Sequence, residues 1–157
     1  MNIFILDNDK TMSAQYHADK HLVKMILEQT QILSSAYYFT EFIPVGIYKL
    51  THANHPCCKW ARENKQNWLW LKEMTEELCK EFEYRYGKTH KCFSVLKIMP
   101  EPMIIDGELT PFAQAMPDQY KNANAVIAYR NYYIGEKSHL FVWKKREVPN
   151  WINVKLN

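Results

Sequence analysis

Two tracts of the chain repeat apolar side chains at intervals of three and four residues, over lengths that suit long helices. In the first, from about Thr11 to about Phe39, the side chains Ala14, Ala18, Leu22, Met25, Ile26, Gln29, Ile32, Leu33 and Ala36 fall on one helical face. In the second, from Pro56 to about Tyr86, Trp60, Asn64, Trp68, Leu71, Met74, Leu78 and Phe82 do the same. Pro56 suits a first helical turn, where its missing N–H loses nothing, and Gly87 suits a C-terminal cap. Strand signals are few and only 4 glycines occur. The expectation is an all-α, compact helical bundle forming one domain over residues 1–157. A shorter third helix should begin in "YGKTHKCFSVLKIM", and a fourth should cover about Ala123 to Tyr133. "HLFVWKKREVPNWINV" reads as a short helix and a tail, and Pro100 to Pro117, with four prolines, as an irregular wrap over the surface. "NIFIL" is either a short strand or a packed N-terminal arm, followed by a turn at Asp7, Asn8 and Asp9 that can cap a helix.

At 157 residues the chain is long enough for a real core. Aromatic residues make up 14%, with 5 Trp, 10 Tyr and 7 Phe, which fits an aromatic core or surfaces that stack flat ligands such as nucleobases. The net charge of +3 permits a nucleic-acid partner without demanding one, although Lys88 to Lys91 and Lys137 to Arg146 are locally basic. The 4 cysteines include no CxxC pair, so a structural zinc site is not expected, and Cys79 and Cys92 should fill the core. "MNIFILDNDK" lacks the charge and apolar pattern of a secretory leader. No stretch approaches the roughly 20 apolar residues of a membrane span. These features suggest a cytoplasmic protein with reduced thiols.

Within the first tract, "ADKHLVKMILE" sets His21, Lys24 and Glu28, with His17 before them and Lys20 beside them, on one strip. Three readings are open. The strip is a solvated face, with Lys24 and Glu28 an i,i+4 pair worth a few tenths of a kcal/mol. Alternatively, His17 and His21 hold a metal; yet Ala18 and Asp19 follow His17, where an HExxH site would have Glu. The third reading is amine chemistry at a deoxyribose C1′. An uncharged amine attacks, an imine forms, and a carboxylate manages the protons. Glu28 is the candidate carboxylate, and Lys20 or Lys24 the candidate amine. A lysine titrates near about 10.4, however, whereas an α-amine such as that of Met1 starts near about 7.7–8.0 and is far more often free at neutral pH.

"ADKHLVKMILE" resembles the segment that begins Ala-Asp-Gln-His-Leu in the pyrimidine-dimer DNA glycosylase/AP lyases of T-even phages, the endonuclease V type. In that family the catalytic Glu lies seven residues after the His, and seven residues after His21 is Glu28. "NHPCCKWARENKQNWLWLKEMTEELCKEFEYRYGK" is similar in placement to the family's second long helix, which is led by His and ends in Arg-Gly. The pattern is nearer still to small phage and bacterial proteins with an NHP…W signature, grouped with these glycosylases. The resemblance covers roughly the first 90 residues. It implies a compact α-helical enzyme without metal or organic cofactor. Such an enzyme flips a nucleotide from the duplex, attacks C1′ with its N-terminal amine and uses the Glu through β-elimination. Carried over, it makes Glu28, Met1 and His21 the catalytic candidates.

The sequence departs from the family pattern in three places. Residue 2 is Asn, whose bulk normally leaves Met1 attached, where the family exposes Thr. Five extra residues precede His21. Leu27 and Gln31 stand where the family carries Arg, so Lys20, Lys24 and Arg62 are the candidates to supply that charge.

Further DNA-contacting candidates follow from residue type. His52 and His55 in "THANHP" sit beside a helix N-terminus, a natural phosphate site, and would form a second wall of the pocket. "YRYGKTHK" offers Arg85, Lys88 and Lys91 among aromatics, and "AYRNYYIGEK" offers Arg130 and Lys137. "PFAQAMPDQY" reads as an irregular loop packed by Phe112 and Met116. The leading expectation is a monomeric enzyme acting on damaged or modified pyrimidines or abasic sites in double-stranded DNA, located in the host cytoplasm if phage-encoded. A non-catalytic DNA-binding or host-takeover protein, and an enzyme on a free nucleotide using His17, His21 and Glu28, are the alternatives.

Overall fold

The computed structural model describes residues 1–153 and contains α-helices, short 3₁₀ turns and no strand among them. The helices are α1 (Lys10–Tyr16), α2 (Asp19–Tyr37), α3 (Pro56–Glu63), α4 (Lys65–Tyr86), α5 (Cys92–Lys97) and α6 (Ala125–Glu136). The all-α class and the periodic faces agree with the sequence reading. Leu22, Met25, Ile26, Ile32, Leu33 and Ala36 of α2 are buried in one core with Trp68, Leu71, Met74, Leu78 and Phe82 of α4. Polar groups bridge these helices where they are dry. Trp68 Nε1–H donates to the Leu33 carbonyl at 3.1 Å, and Thr75 donates to Gln29 Oε1 at 3.0 Å.

Each expected long helix is broken once. The first breaks at His17 and Ala18, both extended, with ψ of 130° and 153°. The carbonyls left over at the end of α1 are capped by side chains from far along the chain. Arg85 donates to the carbonyls of His17 at 2.7 Å and Gln15 at 2.9 Å, and Trp143 Nε1–H donates to Tyr16 at 2.8 Å. The backbone N–H of Ala18 turns to the Tyr133 hydroxyl at 2.9 Å. The second break is at Asn64, where φ is −159°. Asn64 Oδ1 caps α4 by accepting from Asn67 N–H at 3.0 Å, while its Nδ2 donates to the Glu108 carbonyl at 2.9 Å. At the far end of α4, Gly87 adopts the left-handed cap (φ 67°), and its N–H reaches the Glu83 carbonyl at 2.8 Å.

The other elements shift by a few residues. The third helix is confined to Cys92–Lys97, the fourth runs Ala125–Glu136, and the C-terminal segment forms 3₁₀ turns at Ser138–Leu140 and Asn150–Asn153. "NIFIL" is a packed arm. Ile3 to Leu6 are almost fully buried, and the arm is fastened by Ser13 Oγ, which accepts from Leu6 N–H at 3.0 Å, and by Arg130 Nε, which donates to the Leu6 carbonyl at 2.8 Å. Asp9 caps α1 through Met12 N–H at 3.0 Å. No helix of the described residues is long and apolar enough to cross a membrane.

Candidate active site

The buried arm delivers the first residue to the flank of α2. Met1 N lies 3.7 Å from Glu28 Oε2, and Lys24 Nζ lies 3.7 Å from Glu28 Oε1, one turn back on the same helix. Both separations are ion-pair distances, longer than a hydrogen bond. Lys24 is largely exposed and Glu28 mostly covered, its side chain 14% accessible.

The N-terminal turn of α3 brings His55 within electrostatic range of this pair. His55 caps that helix, with its Nδ1 accepting from Cys57 N–H at 3.0 Å. That bond places the ring hydrogen on Nε2. Burial holds the His55 pKa below its ordinary value. The positive charges of the Met1 amine and of His52 push the same way, and Glu28 opposes them. His52 is exposed, in a left-handed backbone (φ 52°), and its Nδ1 pairs with the Thr51 hydroxyl at 2.7 Å. Cys57 and Cys58 are buried there; burial pushes the Cys57 thiol up to about 12 and raises Cys58 as well, so neither offers a thiolate.

Asn2, absent from the sequence expectations as a site residue, fixes the arm at this point. It is 8% exposed; its Nδ2 donates to the Ala115 carbonyl at 2.7 Å, and its Oδ1 receives Ile3 N–H at 2.8 Å and the Tyr129 hydroxyl at 3.0 Å. Nothing local in the sequence signals this, because Ala115 and Tyr129 lie more than a hundred residues away.

The remaining candidates divide by position. Lys20, Lys88 and Lys91 are exposed. Arg62 is half-buried, donates to the Ala53 carbonyl at 2.6 Å and lies 4.0 Å over the Phe39 ring. It lines a cleft of about 800 Å³ with Phe39, Lys59, Trp60, Met103 and Ile105; neither Met1 nor Glu28 lines this cleft. Lys137 sits over Tyr132 at 5.5 Å and near Phe4 at 6.0 Å.

Four expectations are corrected. His17 and His21 do not belong to a polar strip. Both are buried and stack on each other at 5.5 Å, and Phe4 and Tyr133 meet the His21 ring edge-on. The covering residues come from the N-terminal arm and α6, so the apolar face of α2 is wider than its own residues suggest. His21 Nδ1 pairs with the Tyr133 hydroxyl at 3.1 Å, and seven residues of helix separate it from Glu28 by about 10 Å. It therefore supports the core rather than the amine–carboxylate cluster. Arg85 is 1% exposed and bound to Glu81, Asp19 and the end of α1, so it does not face a DNA backbone. Arg130 is held by Asp7 at 3.0 Å and the Leu6 carbonyl, which ties its charge to the arm.

The arrangement brings together an α-amine, a carboxylate, an imidazole and a largely exposed lysine, a set suited to attack on an electrophilic carbon with local proton transfer. The family model for pyrimidine dimer DNA glycosylases matches residues 1–94, which carry Met1, Lys24, Glu28 and His55. No curated protein and no solved structure matches the chain. The match spans more than half of the chain, and the protein belongs to the pyrimidine dimer DNA glycosylase family.

Proposed function

We propose that the protein is a DNA glycosylase/AP lyase that acts on damaged or modified pyrimidines or abasic sites in double-stranded DNA, with the Met1 α-amine as nucleophile and Glu28 as proton-transfer group. The observation that carries this reading is the approach of Met1 N to Glu28 Oε2 at 3.7 Å, within the part of the chain that the family covers.

On a damaged nucleotide the uncharged amine donates its lone pair to C1′. The glycosidic C1′–N bond breaks, its electron pair leaves with the base, and the base takes up a proton. Opening of the sugar ring leaves an imine between C1′ and the Met1 nitrogen. At an abasic site the amine condenses with the C1′ aldehyde instead, releasing water. Glu28 then takes a proton from C2′; the C3′–O bond breaks and the 3′ phosphate departs with the electron pair. Water hydrolyses the imine and restores the amine. In this reading the nucleophile comes from the arm, the acid/base from α2, and the His55 Nε2–H serves as a donor from α3.

The exposed lysines at positions 20, 24, 88 and 91 would neutralise phosphates. The cleft beside Arg62, with Phe39 and Trp60 in its wall, has room for an everted nucleotide.

The test is borohydride reduction of the protein mixed with a duplex carrying one abasic site. The reading expects a covalent protein–DNA adduct. It also expects Glu28→Gln to slow strand cleavage about a hundredfold or more with little loss of duplex binding. Tight, salt-sensitive binding with neither adduct nor cleavage would refute the reading in favour of a DNA-binding protein without catalysis.

A further inference from the structure

We propose that Tyr129 is a positioning residue for the Met1 amine, acting through Asn2, so that the segment from Ala113 to Tyr129 holds the nucleophile against Glu28. The inference rests on the reading above, in which that amine is the nucleophile.

Among the described residues Glu28 is the side chain paired with the amine, and 3.7 Å is too long for a hydrogen bond to hold it there. Its position must therefore come from the chain behind it. The peptide unit between Met1 and Asn2 is rigid, so once Asn2 is fixed the amine retains only two torsions, φ of Asn2 and ψ of Met1. Asn2 is fixed on both ends of its carboxamide. The Nδ2 end donates to the Ala115 carbonyl at 2.7 Å. The Oδ1 end accepts from Ile3 N–H at 2.8 Å and shares the Tyr129 hydroxyl hydrogen with the Ala113 carbonyl, the oxygens lying 3.0 and 2.6 Å from the phenol. Tyr129 is itself enclosed, with 0% exposure and its ring 5.2 Å from Phe4 of the arm. Burial raises its pKa well above the ordinary phenol value, which keeps the hydroxyl a donor across the working pH range.

Every partner that α6 and the preceding loop supply to Asn2 lies beyond residue 94, outside the region the family model matches. The clamp accordingly ties a residue of the matched region to groups outside it: the Asn2 carboxamide offers a donor and an acceptor, and Ala115 and Tyr129 provide the complementary groups, with Cys57 Sγ a further, weaker neighbour of Oδ1 at 3.5 Å.

Tyr129→Phe in the full-length protein is the direct test, because it keeps the ring and removes only the hydroxyl. Two quantities are measured: the single-turnover rate of borohydride-trapped adduct at saturating abasic-site duplex, and the rate at which acetic anhydride modifies the Met1 α-amine in the absence of DNA. The expected result is a trapping rate lower by about tenfold or more, with duplex affinity retained. Faster acetylation of Met1 is expected alongside, since the freed amine leaves Glu28 for solvent. Asn2→Gln, which keeps the amide but lengthens it by one methylene, should shift both rates the same way. Unchanged trapping and unchanged acetylation would overturn the clamp. So would a loss of rate matched by equal losses of affinity and melting temperature, which would make Tyr129 a stability residue only. If the wild-type protein gives no adduct, the functional reading fails, and the acetylation rates still decide whether Tyr129 positions the amine.

Discussion

His17 shows how much a single buried side chain can set the behaviour of this molecule in acid. It is completely buried, donates its Nδ1–H to the Ser13 carbonyl at 2.7 Å, and leaves Nε2 without a partner among the described residues. Burial lowers its pKa from 6.5 to about 4, with the Arg85 charge adding in the same direction, and His21 is lowered well below its ordinary value by burial and by His17. The sign follows from proton counting. Between about pH 6.5 and 4 the unfolded chain binds a proton at His17 that the folded chain refuses, so stability is intact above 6.5 and is lost as pH falls toward 4. The slope is about 1.4 kcal/mol per pH unit for one such group. Urea titrations at a series of pH values should show this loss, and His17→Gln should flatten it. An identical slope in the variant would contradict the assignment. The sequence could not give this burial. His17 and His21 have the spacing of a polar strip with Lys24 and Glu28, and the residues that cover them, Phe4 and Tyr133, come from elsewhere in the chain.

The helices show the same division between local and distant causes. Leu22, Met25, Leu33, Trp68 and Leu78 were legible as core because their spacing alone decides which face they occupy. Asp9, His55 and Gly87 act as caps because each lies next to the groups it satisfies. The break between α1 and α2 was not legible, since the groups that stabilise it are Arg85, Trp143 and Tyr133. Arg85 is the centre of that junction. It pairs with Glu81 at 2.8 Å and Asp19 at 3.0 Å and caps the carbonyls of Gln15 and His17 at the end of α1. Removing one member of a buried ionic group leaves the others uncompensated. Arg85→Ala should therefore lower unfolding stability by about 3–5 kcal/mol in chemical denaturation. A loss below about 1 kcal/mol, typical of a surface ion pair, would show that the corner does not depend on it.

Across the whole molecule, the N-terminal arm is the element that the rest of the chain is built to hold. Residues 1–94 match the family and carry the amine, the carboxylate and the capping histidine. Residues from Ala113 onward supply contacts that fasten the arm: Tyr129 and Ala115 at Asn2, Arg130 at Leu6 and Asp7, and Tyr133 at the start of α2. Glu28 was found by counting from His21 under the family resemblance, and Met1 by the chemistry of an α-amine. The lock at Asn2 was invisible because it joins residues that no local pattern connects. In the proposed reaction the Met1 nitrogen, rather than a lysine of the exposed strip, bonds to the sugar. The most direct measurement is mass-spectrometric mapping of the borohydride-reduced adduct after proteolysis and nuclease digestion. The deoxyribose remnant is expected on the α-nitrogen of Met1, and a remnant on Lys20 or Lys24 would contradict that role.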